Sequence, residues 1–268
     1  LLDLGLSVSV MRYVSDLRVG RVDPKQLQHY LDTEPKKYDL SHFLLSLAES
    51  PEPERLLDRI EPPFQHYRAL LVALERYREL ARDPELNRPL PVTEDALLSG
   101  YSYHELGRLI YRLERLGDLA PRGMEGMGGH DGPIVEPELR EGWSGIYSGV
   151  LVDAVKRFQG RHGLNQDGVI GKKTFAELNV PISRRVEQIK LTLERWRWMP
   201  DNLGYRPIVI NVPEFKLYAF EDDGDGGYRQ ALDMDVIVGK SYPKQQTPMF
   251  RGSMRYIVFS PYWNVPHT

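Results

Sequence analysis

The spacing of apolar residues predicts that the chain is helical over residues 1–99. Near the N-terminus, apolar side chains recur mostly at steps of three and four residues, which indicates a helix with one buried face. Residues 66–83, HYRALLVALERYRELARD, repeat this pattern with charged residues on the opposite side. Proline-containing breaks such as SPEP and EPPF separate the helical stretches, so we expect a small helical domain. The first apolar stripe consists of Leu2, Leu4, Leu6, Val10, Met11, Val14 and Leu17.

Residues 100–180 are predicted to form a compact three-helix domain. The first helix lies within YHELGRLIYRLERLGDLAP and ends at Gly117, and the second lies within VLVDAVKRFQGRHG and ends at Gly163. A short third helix lies within KKTFAELNV. The glycine-rich residues 121–146 separate the first two helices, and we expect a long mobile insertion there. The predicted buried stripes are Leu106, Leu109, Ile110, Leu113 and Leu116 on the first helix, and Val150, Leu151, Ala154, Val155 and Phe158 on the second.

The period of the pattern changes from helix to strand near residue 204. Residues 181–204 predict one more amphipathic helix, which connects to the last part of the chain. From residue 205 onward, β-branched and aromatic runs alternate with turn residues, which is typical of strands. The predicted strands are YRPIVINV, FKLYAFED, YRQALDMDVIVG and SMRYIVFSP, with EDDGDGGY as a hairpin loop. The chain is therefore predicted to be a multidomain α+β protein.

Composition excludes several classes of function. The formal net charge is −3, so no global positive field favours nucleic acid or an anionic membrane. No apolar run approaches the roughly 20 residues that cross a bilayer. No signal peptide is recognisable at the start of the chain, and both ends are interpreted as cuts within a longer protein. There is no cysteine, which excludes disulfides, thiolate metal sites and a thiol nucleophile within these residues.

Three patterns invite a functional interpretation and are better explained structurally. The histidines lack zinc-site spacing, and we expect no metal and no cofactor. The acidic run at 221–227 is favoured as a solvated hairpin turn over a calcium loop, because strands flank it. The RWRW run at 195–198 could stack on sugars or bases. We favour a packed Trp196, with Arg195 and Arg197 facing water.

Residues 100–180 resemble the peptidoglycan-binding-like domain of bacterial cell-wall enzymes. The resemblance rests on LGDL at 116–119, AVKRFQ at 154–159, HGL at 162–164 and DGVIG at 167–171, followed by TFAEL. It implies that Phe158 fills a small core and that Asp167 and Gly168 turn the chain. Departing from the family pattern, residues 121–146 replace a usually short loop. The motif positions of this resemblance, mostly structural in role, are Phe158, Gln159, Asp167, Gly168 and Gly171.

A second resemblance spans nearly the whole chain. VSDLRVGRVDP, NVPISRRVEQIKLTLERWRWMP, VINVPEFKLYAF, VIVGKSYPKQQTPMF and SPYWNVPHT occur in the order seen in murein L,D-transpeptidases of the YcbB type. In that family a helical scaffold and a peptidoglycan-binding-like domain precede a YkuD-type catalytic β-sandwich. The resemblance implies that residues 205–268 are the first strands of this sandwich, and that Thr247 and Pro248 turn a loop between strands.

The resemblance also implies acyl transfer between peptidoglycan stems, forming 3–3 cross-links. A cysteine thiolate, activated by a histidine, attacks the stem peptide, and backbone N–H groups stabilise the oxyanion. The family's catalytic segment would lie beyond Thr268, so no catalytic residue is placed on this chain, and His267 does not replace it. The expected partners are peptidoglycan stem peptides and glycan, with carbapenems for the full-length enzyme, in the periplasm or cell envelope.

Tyr262, Trp263 and Asn264 are the candidate substrate-cleft residues, at the entry to the family's lid. For Trp263, anchoring of the lid and direct contact with substrate both stay open. Two other functions were weighed. A non-catalytic wall-binding or scaffolding protein would keep the recognition domain, but half a sandwich leaves exposed sheet edges. A lytic glycosidase or amidase would not explain the order of the segments from residue 208 onward.

Overall fold

The computed structural model describes residues 2–24, 36–120, 145–224, 228–240, 245–247 and 251–260. The chain divides into two compact units, one of residues 1–64 and 194–268 and the other of residues 65–193. The described helices and strands are α1 (Leu2–Arg18), α2 (Leu40–Glu49), α3 (Pro53–Asp58), α4 (Gln65–Ala81), α5 (Pro84–Asn87), β1 (Ser102–Tyr103), α6 (Leu106–Leu116), β2 (Gly145–Ile146), α7 (Val150–Arg161), α8 (Lys172–Leu178), α9 (Ile182–Trp198), β3 (Ile208–Asn211), β4 (Lys216–Asp222) and β5 (Tyr228–Asp235).

This order confirms the predicted α+β class, since helices fill the chain up to residue 198 and the longest strands follow. The predicted domain boundaries at 99/100, 180/181 and 204/205 stay predictions. Among the described residues, none of the helices has the length and apolar character that a membrane crossing requires.

In the first unit, α1, α2 and α3 pack around a small core of Val14, Phe43 and Ile60. The Asp39 carboxylate begins α2 by accepting a hydrogen bond from the backbone N–H of His42 at 2.9 Å, which satisfies an otherwise unpaired donor of the first turn. The predicted stripe of α1 is only partly correct. Val14 is fully buried, whereas Leu4 and Leu6 are more than 60% exposed, because the core contacts involve the C-terminal half of the helix.

The last turn of α9 and the residues after it belong to this first unit. The Trp196 ring packs against Phe64, with centroids 5.0 Å apart, which confirms the structural interpretation of the RWRW run. The prediction for Arg197 was wrong, however. Its guanidinium is 17% exposed and pairs with Glu194 at 3.2 Å, since a carboxylate one turn earlier on the helix is within its reach.

Strands β3, β4 and β5 form an antiparallel sheet in sequence order. The predicted hairpin between β4 and β5 is confirmed by their pairing from Asp222 opposite Tyr228 to Lys216 opposite Asp235. The fourth predicted strand, 253–261, was wrong as far as it is described: residues 251–260 form no strand and are exposed. A strand needs a neighbour to satisfy its backbone groups, and the apolar pattern alone does not supply one.

The second unit contains a larger core, to which α4, α5, α6, α7 and α8 and the start of α9 contribute. The α6 stripe is buried throughout, as its spacing predicted. On α7 the prediction holds from Leu151 to Phe158 but fails at Val150, which is 55% exposed at the first position of the helix. Gly145 and Ile146, the last residues of the predicted insertion, form β2 and pair with β1.

Candidate functional site

The three-helix module formed by α6, α7 and α8 carries most of the sequence-predicted site residues. Phe158 lies in its core and is 1% exposed, stacked on the His162 ring at 4.0 Å between centroids. The His162 Nδ1 atom lies 2.7 Å from the carbonyl oxygen of Phe158. Burial lowers the pKa of His162 below its ordinary value, so the neutral imidazole is favoured in the folded protein.

Gln159 and Asp167 hold the turn between α7 and α8. The buried Gln159 amide donates to Asp167 Oδ1 and to the carbonyl of Val169, both at 3.0 Å, and accepts the N–H of Gly168 at 2.9 Å. Asp167 also accepts the N–H of Val169 at 2.8 Å, and this backbone hydrogen bond is the main reason that the pKa of Asp167 is lowered. The polar groups of the motif therefore bind one another, as their mainly structural interpretation requires.

The two motif glycines have different reasons to be glycine. Gly168 has φ +73°, and a Cβ there would lie 2.6 Å from Cγ1 of Val152. Gly171 has an ordinary φ of −88° at the start of α8, and a Cβ there would meet no atom within 4 Å. Only Gly168 is therefore required by both backbone conformation and packing.

Tyr147 is a structural residue of the module that the sequence interpretation missed. It is fully buried, and its hydroxyl donates to the carbonyl of Gly168 at 2.7 Å; burial raises the pKa of this hydroxyl. The signal was present as an internal repeat, because Gly145–Ile146–Tyr147 corresponds to Gly168–Val169–Ile170. Tyr147 and Ile170 are both buried, each in front of a helix.

Residues 97–101 join the two halves of this repeat through backbone hydrogen bonds. Leu97 and Ile170 exchange two such bonds of 3.1 Å each. Tyr147 donates its N–H to Tyr101 and accepts the N–H of Gly100, both at 2.8 Å. The segment before α6 is consequently part of the same module as α7 and α8.

Two buried arginines of α6 fix the segment that precedes the module. The Arg112 guanidinium donates to the carbonyls of Leu86 (2.9 Å), Arg88 (2.7 Å) and Leu178 (2.6 Å) and to Oδ1 of Asn179 (3.1 Å). Burial, with the nearby Arg108, lowers the pKa of Arg112 to about 10, so the side chain stays charged at neutral pH. Arg108 contacts the carbonyl of Arg88 at 2.8 Å. The sequence showed only the apolar side of α6 and gave no sign of these contacts.

The antiparallel sheet carries two apolar rows on one face and a mixture of charged, aromatic and apolar side chains on the other. Ile208, Ala219 and Leu232 lie opposite one another across the three strands, and Ile210, Leu217 and Met234 form the next row on the same face. The side chains of Ile208, Ile210, Leu232 and Met234 are 45–53% exposed. On the other face Lys216 pairs with Asp235 at 2.8 Å. Such alternation is typical of a sheet whose apolar face packs against a second layer.

The remaining predicted positions are only partly described. Thr247, predicted to turn a loop, accepts the N–H of Gly239 on Oγ1 at 2.6 Å and so closes that loop; Pro248 lies outside the described residues. The candidate cleft residues Tyr262, Trp263 and Asn264 also lie outside them, as does His267. Within the described part of the chain, no three His, Asp or Glu side chains are grouped as a metal site would need.

Three family profiles match the chain, and each matches a different region. The scaffold domain covers residues 1–74, the peptidoglycan-binding domain, described as putative, covers 129–178, and the L,D-transpeptidase catalytic domain known as YkuD covers 206–268. No curated protein is similar enough to the chain to count as a match. The second region contains α7 and α8, and the third contains the sheet of β3, β4 and β5. This order of scaffold, peptidoglycan-binding and YkuD regions fits a YcbB-type L,D-transpeptidase.

Proposed function

We propose that this chain is part of a cell-wall L,D-transpeptidase that forms 3–3 cross-links between peptidoglycan stems. The observation that carries the proposal is the YkuD match over residues 206–268, where the structure has an antiparallel sheet with one apolar face. The peptidoglycan-binding match over 129–178 supports peptidoglycan as the partner. Peptidoglycan lies outside the cytoplasm, so we propose a periplasmic or cell-envelope location.

The proposed chemistry is cysteine acyl transfer. A thiolate attacks the carbonyl that follows the L-centre of diaminopimelate in a tetrapeptide stem, and the terminal D-alanine leaves with a proton. The amine of a second stem then attacks the thioester carbonyl, forms the new amide and releases the thiolate. The 268 residues contain no cysteine, so the thiol and its histidine would come from residues outside them, and the chain by itself is expected to be inactive.

Within this proposal Tyr262, Trp263 and Asn264 line the entry to the substrate cleft. Stem peptides would bind there, and a carbapenem would acylate the same thiol in the full-length enzyme. The module of α6, α7 and α8 would bind the wall.

The reading frame beyond codon 268 provides the first test. We expect a Ser-x-Gly-Cys segment with a histidine upstream of it, and a stop codon directly after Thr268 would refute the transpeptidase proposal. The second test incubates tetrapeptide muropeptides, and separately a carbapenem, with the 268-residue chain. Neither 3–3 dimers nor a covalent adduct should appear by mass spectrometry, and an adduct on this cysteine-free chain would contradict the mechanism.

A second candidate, a non-catalytic wall-binding protein, is favoured by the absence of cysteine together with the well-packed module. Reading the frame beyond codon 268 also distinguishes the transpeptidase from the wall-binding protein, because a binding protein needs no downstream cysteine.

A further inference from the structure

We propose that an uncharged surface of the three-helix module, formed by residues 98–102 and 145–150, binds the sugar backbone of peptidoglycan. The proposal rests on the proposed function, which it makes more specific by separating glycan recognition from stem recognition. We refer to these two segments together as the uncharged platform.

The two segments lie side by side because backbone hydrogen bonds join them. Gly100 and Tyr101 bond to Tyr147 at 2.8 Å, and Ser102 lies opposite Ile146 in the β1–β2 pair. Tyr103 and Tyr147, next to these positions, point into the core and are no more than 1% exposed. The platform is therefore fixed on a buried base, and its geometry does not depend on a free loop.

The exposed residues of the platform are apolar or carry hydroxyl groups. Tyr101 is 60% exposed and Ile146 is 62% exposed, and Val150 and Leu98 of the same two segments are also exposed. Neither segment contains a charged residue, although 27% of the chain is charged. Exposed tyrosine and aliphatic groups without charges are the features that distinguish the centre of a binding surface from ordinary protein surface.

Two glycines leave room for a ligand to approach the backbone. Gly100 and Gly149 have φ of +94° and +59°, and a Cβ at either position would meet no protein atom within 4 Å. Glycine in such a conformation is often found where a ligand comes close to the main chain. The hydroxyls of Ser99, Ser102 and Ser148, all exposed, can donate and accept hydrogen bonds at the same surface.

The lack of charged residues on the platform favours the glycan of peptidoglycan over its stem peptides. Stem peptides carry carboxylates and amines, which favour a charged binding surface. Where the stems cap the lactyl carboxyl groups of muramic acid as amides, the glycan is a chain of N-acetylated sugars without charge. Its C–H faces pack on aromatic rings, and its hydroxyl and amide groups form neutral hydrogen bonds. A charge-free surface with an exposed tyrosine and three hydroxyls matches the glycan, and the peptidoglycan-binding profile covers residues 145–150.

The test measures sedimentation of the 268-residue chain with insoluble peptidoglycan and with chitin, an insoluble and uncharged polymer of N-acetylglucosamine that has no stem peptides. Two variants change the platform: Tyr101→Ala removes the ring, and Ser148→Glu adds a charge just before α7. Both positions are exposed, and an acidic residue before a helix does not weaken the helix. Tyr13→Ala and Val72→Glu are the matched controls, because both residues are exposed and lie on other helices.

We expect the unmodified chain and both controls to sediment with intact peptidoglycan and with chitin. Each platform variant should bind both materials about tenfold more weakly while unfolding at the unchanged temperature. Chitotetraose, a soluble tetramer of N-acetylglucosamine, should compete with binding, whereas a free stem tetrapeptide should not.

The contrary outcomes separate the two proposals. If the platform variants bind intact peptidoglycan as well as the unmodified chain does, the platform is refuted and peptidoglycan binding stands. Binding to peptidoglycan but not to chitin would also refute the platform, because recognition would then need groups that the neutral sugar chain lacks. Failure of the unmodified chain to bind either material would refute the platform together with the wall-binding part of the proposed function.

Discussion

At the residue scale, the motif positions of the three-helix module act mainly by holding one another. Gln159 satisfies the N–H of Gly168 and donates to Asp167, so the turn before α8 is closed without any group pointing to a ligand. Motifs of this kind identify a fold reliably and locate a binding surface poorly. The groups exposed for binding are found among neighbouring residues outside the motif, such as Tyr101.

Gly168→Ala should destabilise the module more than Gly171→Ala does. At Gly168 a Cβ meets Val152 at 2.6 Å and the backbone is in the left-handed region, which alone costs about 1–2 kcal/mol. At Gly171 the added methyl meets nothing within 4 Å and the backbone is unstrained. Urea unfolding of both variants measures the difference, and equal stabilities would contradict the packing described for the turn.

The half-buried His162 should make stability depend on pH. Its pKa is lowered in the folded protein, chiefly by burial, so near its ordinary pKa of 6.5 the unfolded chain binds more protons than the folded one. Its contribution is therefore present above about pH 6.5, decreases as the pH falls through that value, and stops changing below the folded pKa. Melting temperatures from pH 8 to pH 5 should fall less for His162→Gln than for the unmodified chain, and parallel curves would contradict the assignment.

At the scale of secondary-structure elements, the sequence predicted buried stripes well where a helix packs along its whole length. The α6 stripe is correct at every position because it is buried in the core, whereas the α1 stripe fails at Leu4 and Leu6, which are more than 60% exposed. Periodicity reports which face can be buried, and tertiary contacts decide how much of that face is buried. The same reasoning applies to residues 253–260, whose alternating apolar pattern predicts a strand although the structure shows none there.

The candidate site, like the buried stripes of the helices, could be predicted from the sequence only in part. The motif turn at 167–171 followed from sequence, since glycine and aspartate have local conformational reasons to be there. The buried position of Tyr147 had a signal in the internal repeat, whereas the contacts of Arg112 join residues far apart in the chain and no local pattern indicates them. Long-range hydrogen bonds of buried polar groups are the part of this fold that required the structure.

Replacing Arg112 should therefore have a large effect on stability. Arg112→Met keeps the length of the side chain but leaves four oxygen acceptors without their charged donor, and we expect a loss of about 3 kcal/mol or more in the free energy of unfolding. Arg184→Met, on the exposed side of α9, is the control and should change stability by less than about 0.5 kcal/mol. Chemical denaturation measures both, and similar small effects would show that the buried hydrogen bonds contribute little.

At the scale of the whole molecule, the first compact unit is assembled from two stretches that are distant in sequence, 1–64 and 194–268. Glu194 accepts the N–H groups of Arg21 at 2.5 Å and Val22 at 3.0 Å, and Asp201 pairs with Arg18 and Lys36. Burial lowers the pKa of Lys36 despite its contact with Asp201. These polar contacts, with the packing of Trp196 on Phe64, join the two stretches.

Glu194→Ala should loosen this junction. Two backbone N–H groups would lose their acceptor, which we expect to cost about 1–3 kcal/mol and to speed hydrogen exchange at residues 21 and 22. Glu187→Ala removes only an exposed pair with Lys190 on the same helix, so its effect should stay below about 1 kcal/mol. Unchanged exchange at residues 21 and 22 in the first variant would rule out this role of Glu194.

The contacts of Arg112 also determine where the chain can be cut for work on isolated pieces. An excised module beginning at residue 100, where the helical pattern suggests a boundary, would lose the carbonyls of Leu86 and Arg88, which are two of the four acceptors of the Arg112 guanidinium. It would also lose Leu97, one of the two attachment points of the segment before β1. A soluble recombinant module would have to start upstream of α5, and its first residues would be as much a part of the wall-binding unit as the motif that names it.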